Sequence, residues 1–261
     1  MGRRMVDLIN MDIDNFFKAE SMMTKSDDIH FFNNDSSIEE IRHHLEINNF
    51  DIALIRNNYA FQSYIYKKDL QSCDNIDEII HRINDEEIIA PNASISEIIN
   101  AFQNRKFLFV MSDGDFLGLI TYADLNKYPL QVFCYMAIIE FEKRLKNIVS
   151  ERFPNEEWLK KLSPSEKNYI GGIYISEKSD GVERSLVDCT NLIHLTEILN
   201  IDDFRRIIGI EVRKNYESEM KKINDWRNAI MHNRALVSNE DGGKELYDFI
   251  DKLGQYITNI Q

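Results

Sequence analysis

An arginine and a histidine stand five residues apart in the last third of the chain, Arg227 and His232. A histidine can gain or lose a proton near neutral pH, and an arginine can hold an anion through several parallel hydrogen bonds. Asn228 lies four residues before His232, so on a helix the two point the same way and the amide can hold the imidazole ring in one orientation. We expect any chemistry of this chain at this segment.

A helix has to position these side chains. Trp226 and its apolar neighbours recur at helical spacing, which predicts a helix from Tyr216 to Asn233. At about 100° per residue, Arg227 lies about 140° round this helix from His232, so one helix does not aim both groups at one atom. The length of the arginine, a local distortion or a second copy of the helix would have to close that gap.

The helical pattern continues through residues 129–261 and predicts a bundle of five or six helices. This part resembles the HEPN family of helical domains, and the resemblance is carried by the segment Arg227-Asn228-Ala229-Ile230-Met231-His232. The hallmark of that family is an arginine, a polar residue, three or more residues and a histidine. The resemblance implies that two copies of the motif meet at a two-fold axis in a homodimer.

The HEPN resemblance also implies a reaction, the cleavage of RNA through attack of a ribose 2′-hydroxyl on its own phosphate. His232 would then act as general base or acid, beside Asn228, and Arg227 would bind the phosphate and offset the charge of the transition state. No metal is expected for this chemistry, and Glu140 is a possible polar partner for Arg227. The structural alternative is that Arg227 pairs with an acid and His232 is exposed or caps a helix end.

The first half of the chain contains an internal repeat, with copies at about residues 18–75 and 79–128. Each copy reads strand, helix, strand, hairpin, strand, helix, and a further helix is expected over residues 1–23. The Asp113-Gly114 pair predicts the hairpin of the second copy. Two capping boxes are predicted at the helix starts, Ser36 with Glu39 and Ser94 with Glu97.

The second copy ends in Gly118-Leu119-Ile120-Thr121-Tyr122-Ala123-Asp124. Gly118 allows a ligand to approach the strand backbone, Thr121 offers a hydroxyl, and Asp124 is an acceptor suited to a ribose diol. This segment resembles the Gly-x-x-Ser/Thr-x-x-Asp motif of the CBS domain pair, a regulatory module that usually binds adenine nucleotides. Thr121 and Asp124 would also suit a cap for the helix that follows.

The first copy departs from that motif, because it reads Ser63-Tyr64-Ile65-Tyr66-Lys67-Lys68-Asp69. Asp69 is kept, but Ser63 replaces the glycine and Tyr66 replaces the threonine. Tyr66 could still stack on a base. The CBS resemblance therefore implies nucleotide-binding residues at Gly118, Thr121 and Asp124, with Tyr66 and Asp69 as the first-copy counterparts.

Composition sets the limits on these hypotheses. The net charge of −13 argues against a general nucleic-acid coat. No run approaches the roughly 18 uncharged apolar residues of a membrane span, and the start lacks a signal peptide. Three widely spaced cysteines form neither a metal pattern nor a disulfide framework, so we expect a cytoplasmic protein that contacts no membrane.

The leading hypothesis is an α+β protein of two domains, with a CBS pair in residues 1–128 and a HEPN-like all-α domain in residues 129–261. AMP, ADP or ATP would regulate a dimeric ribonuclease that acts on RNA, which would suit stress response, phage defence or a toxin system. The first alternative is a non-catalytic protein that binds adenine nucleotides and dimerises. The second is a nucleotide-binding regulator of another enzyme.

Overall fold

The computed structural model describes residues 17–57, 60–71, 75–239 and 241–260. They form two compact units, one of residues 17–127 with 239–244 and one of residues 128–238 with 245–260. The strands lie in the first unit and the long helices in the second, so the fold is a mixed α+β fold. Most of the helix expected over residues 1–23 lies outside the described residues, as does Cys73.

The first unit contains two four-stranded sheets, with the orders β2-β3-β4-β5 and β1-β8-β7-β6. In each sheet a short strand runs parallel to a longer one, which pairs in turn with its hairpin partner. The strands are β1 Thr24–Lys25, β2 Phe31–Phe32, β3 Ile52–Asn57, β4 Ala60–Tyr66, β5 His81–Arg82, β6 Ile88–Ile89, β7 Phe107–Ser112 and β8 Asp115–Thr121. The predicted repeat therefore appears as two sheets of matching topology.

Each copy places its edge strand in the other copy's sheet. Strand β1 lies at the start of the first copy but pairs antiparallel with β8 of the second, with Lys25 opposite Gly118. Strand β5 lies at the start of the second copy but pairs antiparallel with β4 of the first, with Arg82 opposite Ser63. Neither copy has a complete sheet without the other.

Three helices accompany these sheets: α1 Ala19–Met22, α2 Ile38–Ile47 and α3 Ile95–Phe102. The buried face of α2 packs on the first sheet, and an apolar layer that includes Leu54 and Phe109 fills the space between the two sheets. The continuous apolar run of β7 has this cause, since both of its faces are covered. The final helix predicted for each copy is instead a 3₁₀ segment, at Lys67–Gln71 and Tyr122–Asn126.

The predicted capping box at Ser94 and Glu97 is confirmed, with both reciprocal hydrogen bonds present. The predicted box at Ser36 and Glu39 is wrong. Helix α2 begins one residue later, so Ser37 is the N-cap and accepts from the amide of Glu40. The Ser36 hydroxyl accepts from a loop amide instead.

The hairpin of the second copy turns at Asp113 and Gly114, as predicted. Both residues have positive φ, 52° and 89°, and Ser112 pairs with Asp115 across them. Positive φ at both central residues is the backbone of the two-residue hairpin turn that Asp-Gly favours.

The described residues of the second unit form six α-helices and two 3₁₀ segments, Pro154–Lys161 and Leu186–Cys189. Helix α4 has a buried face that includes Phe133 and Phe141, and it packs against α6 and α8. Helix α8 contains the segment predicted from Tyr216 to Asn233, with slightly different ends. The helices are α4 Tyr128–Arg152, α5 Pro164–Ser179, α6 Leu192–Ile198, α7 Asp202–Ile207, α8 Arg213–Met231 and α9 Gly242–Asn259.

Candidate functional site: a cleft shared by the two copies of the repeat

A cavity of about 940 Å³ lies in the first unit and takes its lining from both copies of the repeat. The second copy contributes Leu119, Thr121 and Asp124, and the first copy contributes the β3 segment 52–54 and Tyr66. The volume lies at the upper end of the range for small-molecule sites, about 300–1,000 Å³. We refer to this cavity as the cleft.

Asp124 is a polar side chain of the cleft that receives four hydrogen bonds. Its Oδ2 accepts from the Thr121 amide at 2.7 Å and from the Thr121 hydroxyl at 3.0 Å. Its Oδ1 accepts from the Lys127 ammonium at 2.8 Å and from the Thr24 hydroxyl at 3.4 Å. The side chain is only 7% exposed, so these four donors replace the water that a carboxylate needs.

The local sequence explains this geometry. Strand β8 ends at Thr121, which is the N-cap of the following 3₁₀ segment, and Thr121 and Asp124 form a reciprocal capping box. The capping role that the sequence allowed for these residues is therefore present. Both side chains also line the cleft, so the cap and the candidate ligand contact are the same groups.

Gly118 does not line the cleft. A Cβ atom at this position would meet the Thr24 carbonyl and would lie 2.8 Å from Met23 Sδ. The close neighbour that requires glycine in this structure is therefore strand β1. A contact between Gly118 and a ligand stays a prediction.

The corresponding site of the first copy is occupied by its own side chains. Asp69 pairs with His81, Nε2 to Oδ2, at 2.8 Å, and the Tyr64 hydroxyl donates to Glu87 at 2.8 Å. The His81 ring stacks on Tyr64 at 5.5 Å and meets the edge of Tyr66 at 5.0 Å. Burial, followed by the hydrogen bonds with Tyr66 and Glu87, raises the pKa of Tyr64 well above its usual range.

Of the two first-copy residues predicted to bind nucleotide, Tyr66 lines the cleft and Asp69 does not. Tyr66 is half-buried, and the Lys68 ammonium lies 4.5 Å above the centre of its ring. The structure thus brings Thr121, Asp124 and Tyr66 to one cavity. Asp69 lies outside the lining of this cavity and pairs with His81.

Several further cleft residues were not predicted. Lys67, Lys68 and Lys106 line the cleft and supply positive charge. The pair Lys67-Lys68 follows β4 directly, where the second copy has Tyr122-Ala123, and that difference between the copies is the signal that could have indicated it.

Two histidines also line the cleft, His30 and His44, with ring centres 4.9 Å apart. Burial, and to a lesser degree the nearby His30, lowers the pKa of His44. The sequence does not indicate this contact between the two rings, because it joins the loop before β2 to α2.

The segment with Arg227 and His232 lies at the end of α8. His232 is the exposed C-cap residue, and its amide donates to the Asn228 carbonyl at 3.0 Å. Asn233 follows with a positive φ of 50°, and the Arg234 amide donates back to the Ala229 carbonyl, which ends the helix. The histidine therefore occupies a helix end, as the structural alternative expected.

The polar contacts of this segment differ from those suggested by the sequence. The Asn228 Oδ1 accepts from Arg227 at 3.4 Å, so the contact that the structure shows is to the arginine and not to the His232 ring. Glu140 pairs with Arg144 at 2.8 Å rather than with Arg227. Among the described residues, Arg227 forms no ion pair.

Trp226 anchors this helix to its neighbour. Its ring stacks on Phe249 of α9 at 4.4 Å with an interplanar angle of 5°. The deeper apolar contacts come from Met220 and Ile223. The end of α8 is thus fixed by packing while its last turn is exposed.

Comparison with known proteins identifies part of the first unit. Residues 76–130 match the CBS domain family model. The match covers the second copy with strands β5 to β8 and the 3₁₀ segment that holds Asp124. These residues are a CBS domain, and the chain carries a first copy of the same topology in front of it.

The chain is similar to several solved structures. An AcuB protein from Vibrio cholerae, described as a putative acetoin utilization protein, is 20% identical with a TM-score of 0.39, over 45% of this chain and 93% of that one. CBSX2, solved with AMP, is 12% identical with a TM-score of 0.39, over 45% and 98%. CbpB, solved with c-di-AMP, is 19% identical with a TM-score of 0.38, over 48% and 90%. These values are too low to carry a ligand from those proteins to this chain, and no curated protein matches it.

Neither a metal cluster nor a membrane-spanning helix is found among the described residues. Within the described residues, no three or more histidine, cysteine or carboxylate side chains gather as a metal site would need. None of the described helices combines the length and the apolar character that crossing a membrane requires.

Proposed function

We propose that this chain is a regulatory protein that binds an adenine nucleotide in the cleft of its CBS pair. One observation carries the proposal: a cavity of about 940 Å³ gathers Thr24, Tyr66 and the pair Thr121 and Asp124 from three separate segments of the chain. No enzymatic step is needed for this function. Binding alone would report the level of the nucleotide.

The lining of the cleft suits the three parts of a nucleotide. Apolar side chains of both sheets, with Phe107 and Leu119 among them, offer a surface for a base. Asp124 can accept from ribose hydroxyls, and the lysines beside Tyr66 can attract phosphate. We propose adenine as the base because the CBS resemblance implies an adenine nucleotide.

Calorimetry with AMP, ADP and ATP tests the proposal. At least one of the three should bind the wild-type protein, and Asp124→Ala should weaken that binding at least about tenfold through the loss of a charge-assisted contact. Asp69→Ala is the matched control, since Asp69 lies outside the lining of the cleft, and it should change the affinity less than about twofold. Absence of binding by the wild type to all three nucleotides would refute the proposal.

A second function has its own observation in the second unit. Arg227 carries no ion pair among the described residues, and His232 is exposed at the C-cap of the same helix, five residues later. We propose on this basis that two copies of the chain combine these groups in a metal-independent ribonuclease site. Arg227 would hold the phosphate of RNA, and His232 would transfer the proton.

Cleavage of RNA in the presence of EDTA tests the second function. The wild type should cut RNA, with or without an adenine nucleotide, and His232→Ala should lower the rate at least about a hundredfold, as the loss of a general acid or base does. His43→Ala, a change of an exposed histidine in α2, is the control and should cut like the wild type. Equal cleavage by His232→Ala, or intact RNA with every adenine nucleotide, would leave only the regulatory function.

A further inference from the structure

Lys127 makes the contact on which the inference rests. Its ammonium donates to Asp124 Oδ1 at 2.8 Å and to the carbonyl of Met22 at 2.5 Å, and it lies 3.5 Å from the carbonyl of Met23. The Lys127 side chain is 41% exposed, so it is the accessible partner of the nearly buried Asp124. Lys127 thereby ties the chain before β1 to the floor of the cleft.

This contact leaves little room for a ligand on Asp124. A carboxylate has about four acceptor positions, and Asp124 already receives four donors. The two bonds from Thr121 belong to the capping box, which the backbone holds in place. Ribose hydroxyls that donate to Asp124 must therefore displace the ammonium of Lys127 or the more distant hydroxyl of Thr24.

The position of Lys127 in the chain gives this displacement a consequence. Lys127 is the C-cap residue of the 3₁₀ segment, and helix α4 starts at the next residue, Tyr128. The division between the two units falls between these two residues. A change in the contacts of Lys127 therefore occurs at the residue that directly precedes α4, the longest helix of the second unit.

We propose that Lys127 competes with the nucleotide for Asp124, so that it sets the affinity of the cleft and passes the bound state on to α4. The proposal rests on the function proposed for the cleft. A nucleotide that takes the Asp124 oxygen releases Lys127 from Asp124. The released side chain also forms a weaker hydrogen bond with the Met22 carbonyl. Lys127, the residue directly before α4, is then held less firmly, and the first turns of α4 become more mobile.

The affinity of Lys127→Met for AMP tests the competition. This variant keeps the length of the side chain but removes the ammonium, so AMP should bind about three- to tenfold more tightly than to the wild type, measured by calorimetry. Lys127→Arg keeps the charge and should bind no more tightly than the wild type. Lys143→Met, an exposed position on α4, is the control for loss of one positive charge.

Hydrogen exchange of residues 130–136 tests the transmission to α4. AMP should raise the exchange of these amides in the wild type and in Lys143→Met, and it should have no effect in Lys127→Met, whose contact is already absent. Circular dichroism confirms the fold of each variant, and Lys127→Gln gives a second neutral side chain for both measurements.

Equal or weaker binding by both neutral variants would overturn the competition, since weaker binding would make Lys127 a ligand contact. Unchanged exchange on binding of AMP to the wild type would overturn the transmission. These results differ from a failure of the proposed function, in which the wild type binds no adenine nucleotide at all.

Discussion

The two copies of the repeat share one topology but differ in what occupies their sites. In the second copy, Thr121 and Asp124 line an open cleft. In the first copy, the equivalent residues are Tyr66 and Asp69, and both contact His81. The His81 ring packs against Tyr66, and its Nε2 pairs with the Asp69 carboxylate. The difference shows that a duplicated fold can keep its sheets and its acidic residue while that acid lines the cleft in one copy and pairs with a histidine in the other.

The edge strands explain how such a small difference changes a site. Thr24 of β1 lies beside Asp124, and His81 of β5 lies beside Asp69, at matching positions of the two sheets. The threonine beside Asp124 is small and lines the cleft, whereas the larger imidazole beside Asp69 pairs with that acid. The side chain on the two-residue strand is thus one difference between the two sites, beside the tyrosines at positions 64 and 66.

The largest expected effect concerns the filling of the first copy. Tyr64 is 2% exposed and packs on Phe107 and Phe109, so Tyr64→Ala should lower the free energy of unfolding by about 3–5 kcal/mol. Tyr66→Ala, at a half-buried position of the same strand, should cost clearly less. Urea denaturation followed by circular dichroism measures both, and equal losses would mean that Tyr64 does not fill the first site.

The glycine of the second copy gives the next effect. Gly118→Ala forces a Cβ against the Thr24 carbonyl and should lower the free energy of unfolding by about 1–3 kcal/mol. Ser63→Ala, the same strand position of the first copy, should stay within about 0.5 kcal/mol. Urea denaturation compares the two, and a harmless alanine at position 118 would show that β1 does not require the glycine.

Exchange of one residue between the copies should close the open site. Thr121→Tyr gives the second copy the residue of the first, removes a hydroxyl from Asp124 and fills the cleft. The affinity for AMP should fall at least about tenfold, which is about 1.4 kcal/mol, as measured by calorimetry. Thr121→Ser keeps the hydroxyl and should bind nearly as the wild type does, so a loss of equal size in both variants would contradict this role of Thr121.

The smallest effect concerns His44, which has Ala101 as its counterpart in the second copy. Burial and His30 lower the pKa of His44 below its ordinary value of 6.5, so the folded chain binds fewer protons there than the unfolded chain. This contribution to stability is therefore complete above pH 6.5 and is lost as the pH falls through and below that value.

Urea denaturation between pH 7.5 and pH 5, a range of roughly one pH unit or more on either side of an ordinary histidine pKa, measures this loss. His44→Ala should show a smaller fall in stability over this range than the wild type. His43→Ala, an exposed neighbour, should behave as the wild type, and an unchanged fall in His44→Ala would contradict the assignment.

Much of the fold could be predicted from the sequence because its signals are local. The apolar runs, the Asp113-Gly114 turn and the Ser94 capping box each lie within a few residues, and they indicated the repeat. Strands β1 and β5 could not be predicted, because two residues such as Thr24–Lys25 contain no period. The final helix of each copy was predicted as an α-helix but is a five-residue 3₁₀ segment. The two kinds of helix start with the same kind of capping residue, so the sequence does not separate them.

The candidate site was predicted only where the motif itself supplies the contact. Thr121 and Asp124 line the cleft, but two of the four donors to Asp124, Thr24 and Lys127, were not expected. Thr24 lies 100 residues away in the chain, and only pairing of β1 with β8 brings it near. Likewise, no residue near Asp69 in the sequence indicated that His81 would pair with its carboxylate.

A crystal structure of the chain with AMP tests the central claim most directly. We predict one nucleotide per chain, in contact with Thr121 and Asp124, while the bond between His81 and Asp69 stays intact. A nucleotide bound at Asp69 in place of His81, or one nucleotide in each copy, would contradict the claim that only the second copy keeps a site.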